Sequence, residues 1–184
     1  MSAQPVSLEK FLKRDQVVGP FIVNFIINVG IPWAAFGHHA TAPLWGPQSV
    51  AGDMLLTMFL LPFGLCLVTT PLIRKGARDG KLPQVGTTAP IAPWVLRLPD
   101  TLLVRSLLVG LVSALLFGPP IALVLSLLGR PELPVLPFVL GKGFLCGALA
   151  AAISPPLALR ALLDVQIPSG TPTPGGSPQN QPTA

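Results

Sequence analysis

Two side chains of opposite charge, Asp53 and Lys142, lie inside long apolar runs of the sequence. A charged group is costly in hydrocarbon, so each is a candidate for a functional or a pairing role. An ion pair is the favoured interpretation, because the two charges would relieve much of each other's desolvation cost. The alternatives are an ion or substrate site, or a helix cap at Asp53 together with a lysine that extends to the lipid headgroups.

Three uncharged polar residues lie at positions that could support this pair. Asn24 and Asn28 are four residues apart and therefore share one face of a helix. An amide in lipid gains by hydrogen bonding to a neighbouring helix, so we predict that both residues link helices. A small polar cavity around Asn28 is the alternative. Thr57 lies one helical turn from Asp53 and could contribute to the same face.

Signals for catalysis or metal binding are weak in this sequence. His38 and His39 are adjacent, so on a helix they would point in different directions and make a poor metal pair. The two cysteines lack a CxxC spacing, and there is no phosphate loop, nucleophile elbow or HExxH motif. We therefore predict a protein that is not an enzyme and that has no catalytic residue, no metal site and no cofactor. A membrane enzyme with His38, His39 and Asp53 at its outer mouth is the least favoured class.

The amino-acid composition indicates whether these residues lie in a soluble protein or in a membrane protein. Hydrophobic residues make up 51% of the chain and charged residues only 10%, whereas soluble domains carry about 25% charged residues. A chain with so few charged residues has too little polar surface to fold in contact with water on all sides. The predicted partner is therefore the lipid bilayer. The net charge of +5 does not indicate nucleic acid, because the basic residues form no stripe with aromatic residues.

The apolar residues form continuous runs that are long enough to cross a bilayer as helices. We predict an all-α membrane protein whose four spans are Val17–Phe36, Val50–Ile73, Ser106–Leu128 and Val135–Leu159. A cytoplasmic segment over residues 1–16 would precede a transmembrane domain over 17–163. Residues 164–184 are rich in Pro, Gly and Ser, which predicts a disordered C-terminal tail.

The first apolar run could also be a secretory signal peptide, because it follows basic residues and ends near "ATA" at Ala40–Ala42. It is, however, longer than the usual apolar region of about 7–15 residues. It also contains two asparagines, and Pro43 would directly follow the cut. A retained transmembrane span is therefore favoured.

Lysine and arginine residues are distributed unevenly between the two predicted sides of the membrane. The loop over residues 37–49 contains neither type, and the loop between the third and fourth spans contains only Arg130. Since Lys and Arg are retained in the cytoplasm, both termini and the middle loop are predicted to be cytoplasmic. The basic residues on this side are Lys10, Lys13, Arg14, Arg74, Lys75, Arg78, Lys81, Arg97, Arg105 and Arg160.

Two pairs of short segments indicate an internal repeat. "RDQVVG" at Arg14 resembles "RSLLVG" at Arg105, and "VAGDMLL" at Val50 resembles "VLGKGFL" at Val139. Both pairs are separated by about 90 residues, which predicts two parallel repeats of two helices each. In that arrangement Lys142 is the counterpart of Asp53, and the two would face each other across a pseudo-twofold axis.

Small residues recur at four-residue intervals in the third and fourth spans. Such rows allow helix backbones to approach closely. We expect them to join these two spans within one chain, or two chains in a dimer. The rows include Gly110, Ala114 and Gly118 in the third span and Gly143 and Gly147 in the fourth.

The segment "APLWGPQSVAGD", followed by "FLLPFGLCLVTTPLIRKGARDGKLP", resembles small, uncharacterised bacterial membrane proteins with four spans. The resemblance covers mainly residues 20–83. It implies a bacterial inner-membrane location and no particular activity.

The leading functional interpretation is an inner-membrane protein of structural or partner-binding type, with a homodimer or another membrane protein as the possible partner. The alternative is a small dimeric transporter or channel with Asp53, Lys142 and Asn28 near its path.

The predicted topology can be tested with reporter fusions. Fusions after Phe36 and Leu128 should report an external location, and fusions after Lys81 and Ala184 a cytoplasmic one, because of the Lys/Arg asymmetry. An external signal at Lys81 would overturn the predicted orientation.

Overall fold

Four long helices dominate the fold. The computed structural model describes residues 7–85 and 91–166 of the chain. The long helices are α1 (Leu8–Phe36), α2 (Val50–Arg78), α4 (Leu102–Leu127) and α5 (Val135–Gln166). The short elements are strand β1 (Thr41–Pro43), helix α3 (Pro93–Leu96) and strand β2 (Glu132–Pro134). Each long helix is sufficiently long and apolar to cross a membrane, which confirms the prediction of a mostly helical protein with four such helices.

The first helix begins earlier than predicted, at Leu8, so most of the segment assigned to residues 1–16 continues directly into the span. Its residues Phe11–Val18 have the wider hydrogen bonding of a π-helix, in which the Gly19 N–H donates to the Arg14 carbonyl. Pro20 follows this segment and has no N–H to donate to the preceding turn, which accounts for the local change in hydrogen bonding.

The last helix continues to Gln166, so the boundary predicted at residue 164 is wrong by three residues. Asp164 belongs to the last turn of α5, where ion pairs to arginines hold it. The rest of the predicted disordered tail, residues 167–184, lies outside the described part of the chain.

A small antiparallel sheet joins the loops that follow α1 and α4, so the all-α prediction was incomplete. Ala42 on β1 is opposite Leu133 on β2, and the Leu44 N–H donates to the Pro131 carbonyl just beyond the sheet. Strands of three residues are too short to show an alternating pattern in the sequence. We refer to this end of the bundle as the strand end.

The helices of one half of the chain pack against helices of the other half. Helix α5 lies against both α1 and α2, and α2 also lies against α4. The bundle is therefore held together across the two halves, with α2 and α5 at its centre. Three groups of buried apolar side chains fill these contacts, around Val50 and Val139 near the strand end, Met58 and Cys146 in the middle, and Phe11 and Ala161 at the opposite end.

Glycines of α5 form the contact with α1. A Cβ atom at Gly147 would lie 2.9 Å from the Phe21 carbonyl oxygen, and one at Gly143 would lie 3.2 Å from the Phe25 carbonyl oxygen. Both phenylalanines belong to α1, and their rings stack with centroids 6.2 Å apart. The absence of side chains on α5 thus allows the backbone of α1 to approach closely.

The contact between α4 and α2 is also made at glycines, which here belong to α4. A Cβ atom at Gly110 would lie 3.0 Å from the Phe63 Cβ and 3.1 Å from the Phe59 carbonyl oxygen. Gly118, two turns further along α4, faces Leu55 of α2. The expectation that the small residues join the third and fourth helices is therefore wrong. The glycines of α4 and α5 contact α2 and α1, because the larger side chains that match them are on those helices.

We predict that Gly147→Ala lowers the free energy of unfolding by about 1–3 kcal/mol, because the added methyl group meets a backbone oxygen that can move only with its helix. Gly141→Ala is the matched control on the same helix, since a Cβ there meets nothing within 4 Å. Unfolding in mixed micelles would measure both variants, and equal stabilities would contradict the close contact between α1 and α5.

Candidate functional site

Asp53 and Lys142 form an ion pair near the strand end of the bundle. The Lys142 Nζ donates a hydrogen bond to Asp53 Oδ2 at 2.5 Å. The Lys142 side chain is 2% exposed and that of Asp53 is 26% exposed, so the lysine is enclosed while the carboxylate keeps one open side.

The alternative of a helix cap at Asp53 with a lysine that extends to the headgroups does not describe the geometry. The N-cap of α2 is Ser49, whose Oγ accepts a hydrogen bond from the Gly52 N–H at 3.1 Å. Asp53 therefore is not the residue that caps its helix. Lys142 is enclosed between helices and does not extend along the surface of the bundle.

The two asparagines are bonded within α1, so the prediction that their amides link helices is wrong. Asn24 Nδ2 donates to the Pro20 carbonyl and Asn28 Nδ2 to the Asn24 carbonyl, each at 2.9 Å. Each amide reaches the carbonyl four residues earlier, which a helix always places within its range. The Thr57 hydroxyl makes the same kind of bond, donating to the Asp53 carbonyl at 2.6 Å.

Five of the polar residues that the sequence singles out line one cavity between α1 and α2. Its volume is about 430 Å³. Lys142 of α5 contributes to this cavity from between the two helices, and apolar side chains complete the walls. We call it the polar cleft and define it by its polar residues Asn24, Asn28, Asp53, Thr57 and Lys142.

Asp53 also borders a second cavity, of about 490 Å³, which lies toward the strand end. Phe36, Ser49 and Gly52 contribute to this cavity, and Leu56 is shared with the polar cleft. The carboxylate thus stands where the cleft meets the end of the bundle. From Asp53 to Arg74 the helix runs 21 residues, or about 31 Å at a rise of 1.5 Å per residue, so Asp53 lies close to one face of a bilayer whose core is about 30 Å thick.

A second buried charged group lies at the opposite end of the bundle, which we call the arginine end. Asp164 of α5 accepts hydrogen bonds from Arg74 of α2 at 2.6 Å and from Arg105 of α4 at 2.9 Å. Arg160, one turn earlier on α5, also pairs with Asp164. One carboxylate therefore connects three helices.

Arg105 is the most enclosed member of this group, with a side chain that is 0% exposed. Its remaining donors reach backbone oxygens, at 2.8 Å for the Pro99 carbonyl and 3.4 Å for the Asp100 carbonyl. The Asp100 carboxylate pairs with Arg160. The arginine cluster therefore consists of Arg74, Arg105, Arg160, Asp100 and Asp164, and it joins the end of the middle loop to the bundle.

Arg74, Arg105 and Arg160 contribute to the predicted orientation of the chain, and Arg105 also to the predicted repeat, whereas Asp164 falls in the predicted tail. Two signals could have found the cluster. Asp164 follows Arg160 at the helical spacing of four residues, and "TPLIRKGARD" resembles "PPLALRALLD", which places an arginine and an aspartate near the end of both α2 and α5.

The histidines do not join the polar cleft. His38 and His39 lie beyond the end of α1 and are exposed. Within the described residues, no group of three or more His, Cys, Asp and Glu side chains could hold a metal ion. Cys66 and Cys146 are buried free thiols. No known protein family, curated protein or solved structure matches the chain.

We predict that Asp53→Asn or Lys142→Met alone lowers the free energy of unfolding by about 3–5 kcal/mol, because each leaves a charge unpaired in a low-dielectric site. The double variant should be more stable than the sum of the single effects, which a double-mutant cycle measures. Exchanging the charges, Asp53→Lys with Lys142→Asp, should recover much of the loss.

The matched control is the pair Glu9 and Lys13, which are four residues apart on α1 with side chains 76% and 77% exposed. The same cycle there should give almost no coupling, because water and salt screen an exposed pair. Additive effects at Asp53 and Lys142 would contradict the buried pair.

Proposed function

We propose that this chain is a structural or partner-binding protein of the bacterial inner membrane, without enzymatic activity and with both ends in the cytoplasm. The uneven charge distribution supports this orientation. Arg130 and Lys142 are the basic residues toward the strand end, and the other ten of the twelve Lys and Arg residues belong to the segments near the arginine end. The resemblance of residues 20–83 to bacterial four-span proteins supports the location.

The observation that carries the structural role is that the buried charges are bonded to one another. Lys142 pairs with Asp53, and the buried Arg105 pairs with Asp164. A transport path instead needs polar groups that can release their partners along a continuous route. The polar cleft and the arginine cluster share no residue, and a buried group around Met58, Leu61 and Leu149 lies in the middle of the bundle.

We further propose that the two halves are structural repeats related by a pseudo-twofold axis. Near such an axis a residue meets its own counterpart, so the sequence separation of contacting residues should equal the repeat length. Lys142 bonds to a residue 89 positions away, Asp164 to one 90 positions away, and Thr41 to Glu132, 91 positions away. These three contacts lie at different levels of the bundle and have nearly the same separation, which supports the repeat.

The second candidate is a small dimeric transporter or channel with Asp53, Lys142 and Asn28 near the path. The observation that favours it is the polar cleft, which brings together Asn24, Asn28, Asp53, Thr57 and Lys142. This candidate needs a route from Asn24 to the arginine end that a second copy of the chain or a conformational change would provide.

Flux measurements in reconstituted vesicles separate the two functions. We expect proton and monovalent cation flux no greater than in empty vesicles, for both the natural chain and the double variant Asp53→Asn with Lys142→Met. Mass measurement after extraction in native membrane discs should give a protein mass per disc that is greater than the 19.3 kDa of one chain. Flux that disappears in the double variant would establish the transporter, and a chain that is always alone would contradict partner binding.

A further inference from the structure

We propose that the polar cleft binds the headgroup of a zwitterionic membrane amphiphile, one that carries both a phosphate and a primary ammonium group. This assignment rests on the proposed function only in requiring that the bundle lies in a membrane. The cleft brings together an ion pair, free hydrogen-bond acceptors and an opening toward the lipid, and each of these restricts the ligand.

The ion pair determines the charge of the ligand. Asp53 and Lys142 together are neutral, and both line the cleft. A ligand that carries a net charge would leave that charge uncompensated in a low-dielectric site. A zwitterion adds no net charge, and its ammonium can approach the open side of the Asp53 carboxylate while its phosphate lies in the cleft to whose lining Lys142 contributes.

The free acceptors determine the kind of cationic group. Asn24 and Asn28 use their Nδ2 atoms on α1 carbonyls, and no described donor reaches their Oδ1 atoms. Among the described residues, the one fully enclosed side-chain polar atom without a partner is Ser154 Oγ, so neither amide oxygen is fully enclosed, and both residues line the cleft. A primary ammonium has three N–H donors for such oxygens, whereas a trimethylammonium group has none.

The rim of the cleft determines that the ligand is an amphiphile. Ile27, Ile31, Leu56 and Leu60 line the cleft and are 47%, 61%, 59% and 49% exposed. A lipid chain can therefore lie along this rim while its headgroup stays near Asp53, at the depth where headgroups are found. The volume of about 430 Å³ falls within the range of about 300–1,000 Å³ that is usual for small-molecule sites.

The bundle contains another cavity, without charged residues, with which the polar cleft can be compared. A cavity of about 290 Å³ lies between α4 and α5 and is lined almost entirely by apolar side chains, including Leu108, Val112 and Ile153. Ser113 is the hydroxyl-bearing residue in its lining. This cavity can accept a lipid chain, but it offers no ion pair to a headgroup, so it should not distinguish between headgroups.

The test is a titration of the purified full chain, in neutral detergent, with lipids of identical acyl chains. Native mass spectrometry would count the bound molecules. Phosphatidylethanolamine should reach half-saturation at a concentration about tenfold or more below that of phosphatidylcholine, which cannot donate hydrogen bonds from its cationic group. Phosphatidylglycerol, which lacks the ammonium, should also bind about tenfold or more weakly. Free phosphoethanolamine should compete poorly, because it has no chain to lie along the rim.

Two variants keep the test decisive if a single charge change unfolds the chain. The double variant Asp53→Asn with Lys142→Met removes both charges together and should abolish the preference for phosphatidylethanolamine. Asn28→Leu removes one free acceptor and should reduce the preference severalfold. Ser113→Ala, in the apolar cavity, is the control and should leave the preference unchanged.

Three results would overturn the assignment. Equal affinity of the natural chain for the three lipids would remove the selectivity on which it depends. A preference that persists in the double variant would place the lipid elsewhere. Competition by free phosphoethanolamine as strong as by the lipid would indicate a soluble ligand. None of these results depends on the flux measurements, so this assignment and the proposed function can fail separately.

Discussion

The structure depends on one constraint, which is that a charge held away from water must find its opposite inside the protein. The carboxylates that pair with the buried Lys142 and Arg105 each have a partner from the other half of the chain. Asp53 of α2 is bonded to Lys142 of α5, and Asp164 of α5 is bonded to Arg74 of α2. The two central helices are thereby connected near both ends, which restricts their sliding and their rotation relative to each other.

The outer helices α1 and α4 are held against this central pair by close contacts between helix backbones. In lipid, apolar side chains gain little by contacting one another instead of acyl chains, so close packing has to supply the attraction. Glycines provide it here from the second half of the chain, through Gly110 of α4 and Gly147 of α5, and phenylalanines on α2 and α1 occupy the opposite surfaces. Helix α4 is additionally tied by Arg105, which reaches Asp164 from its first turn. The polar cleft then remains between α1 and α2, beside the ion pair of α2 and α5.

Much of this arrangement could be predicted from the sequence, because lipid imposes simple rules on composition. Long apolar runs predicted the four helices, and the two pairs of similar segments led to the prediction that Lys142 faces Asp53, with which it forms a hydrogen bond. Other features depend on three-dimensional contacts that no spacing reveals. A row such as Gly110 to Gly118 indicates close packing without identifying the partner helix. An asparagine in an apolar run can bond to its own helix or to a neighbour, and Asn28 bonds to its own. Asp164 falls in the predicted tail because a stretch rich in Pro, Gly and Ser follows it in the sequence. Its pairing with two arginines that are distant along the chain places it in the bundle.

Disulfide formation in intact membranes tests most directly the claim that the two halves pack against each other. In a background with Cys66→Ala and Cys146→Ala, the variant Phe63→Cys with Gly110→Cys brings together two Cβ positions that are 3.0 Å apart, slightly closer than the spacing of about 3.5–4.5 Å that is usual for disulfides. We expect a rapid disulfide within single chains, and none for Val23→Cys with Val112→Cys, since α1 and α4 share no comparable interface. Absence of the first disulfide, or its formation only between chains, would contradict the arrangement described above.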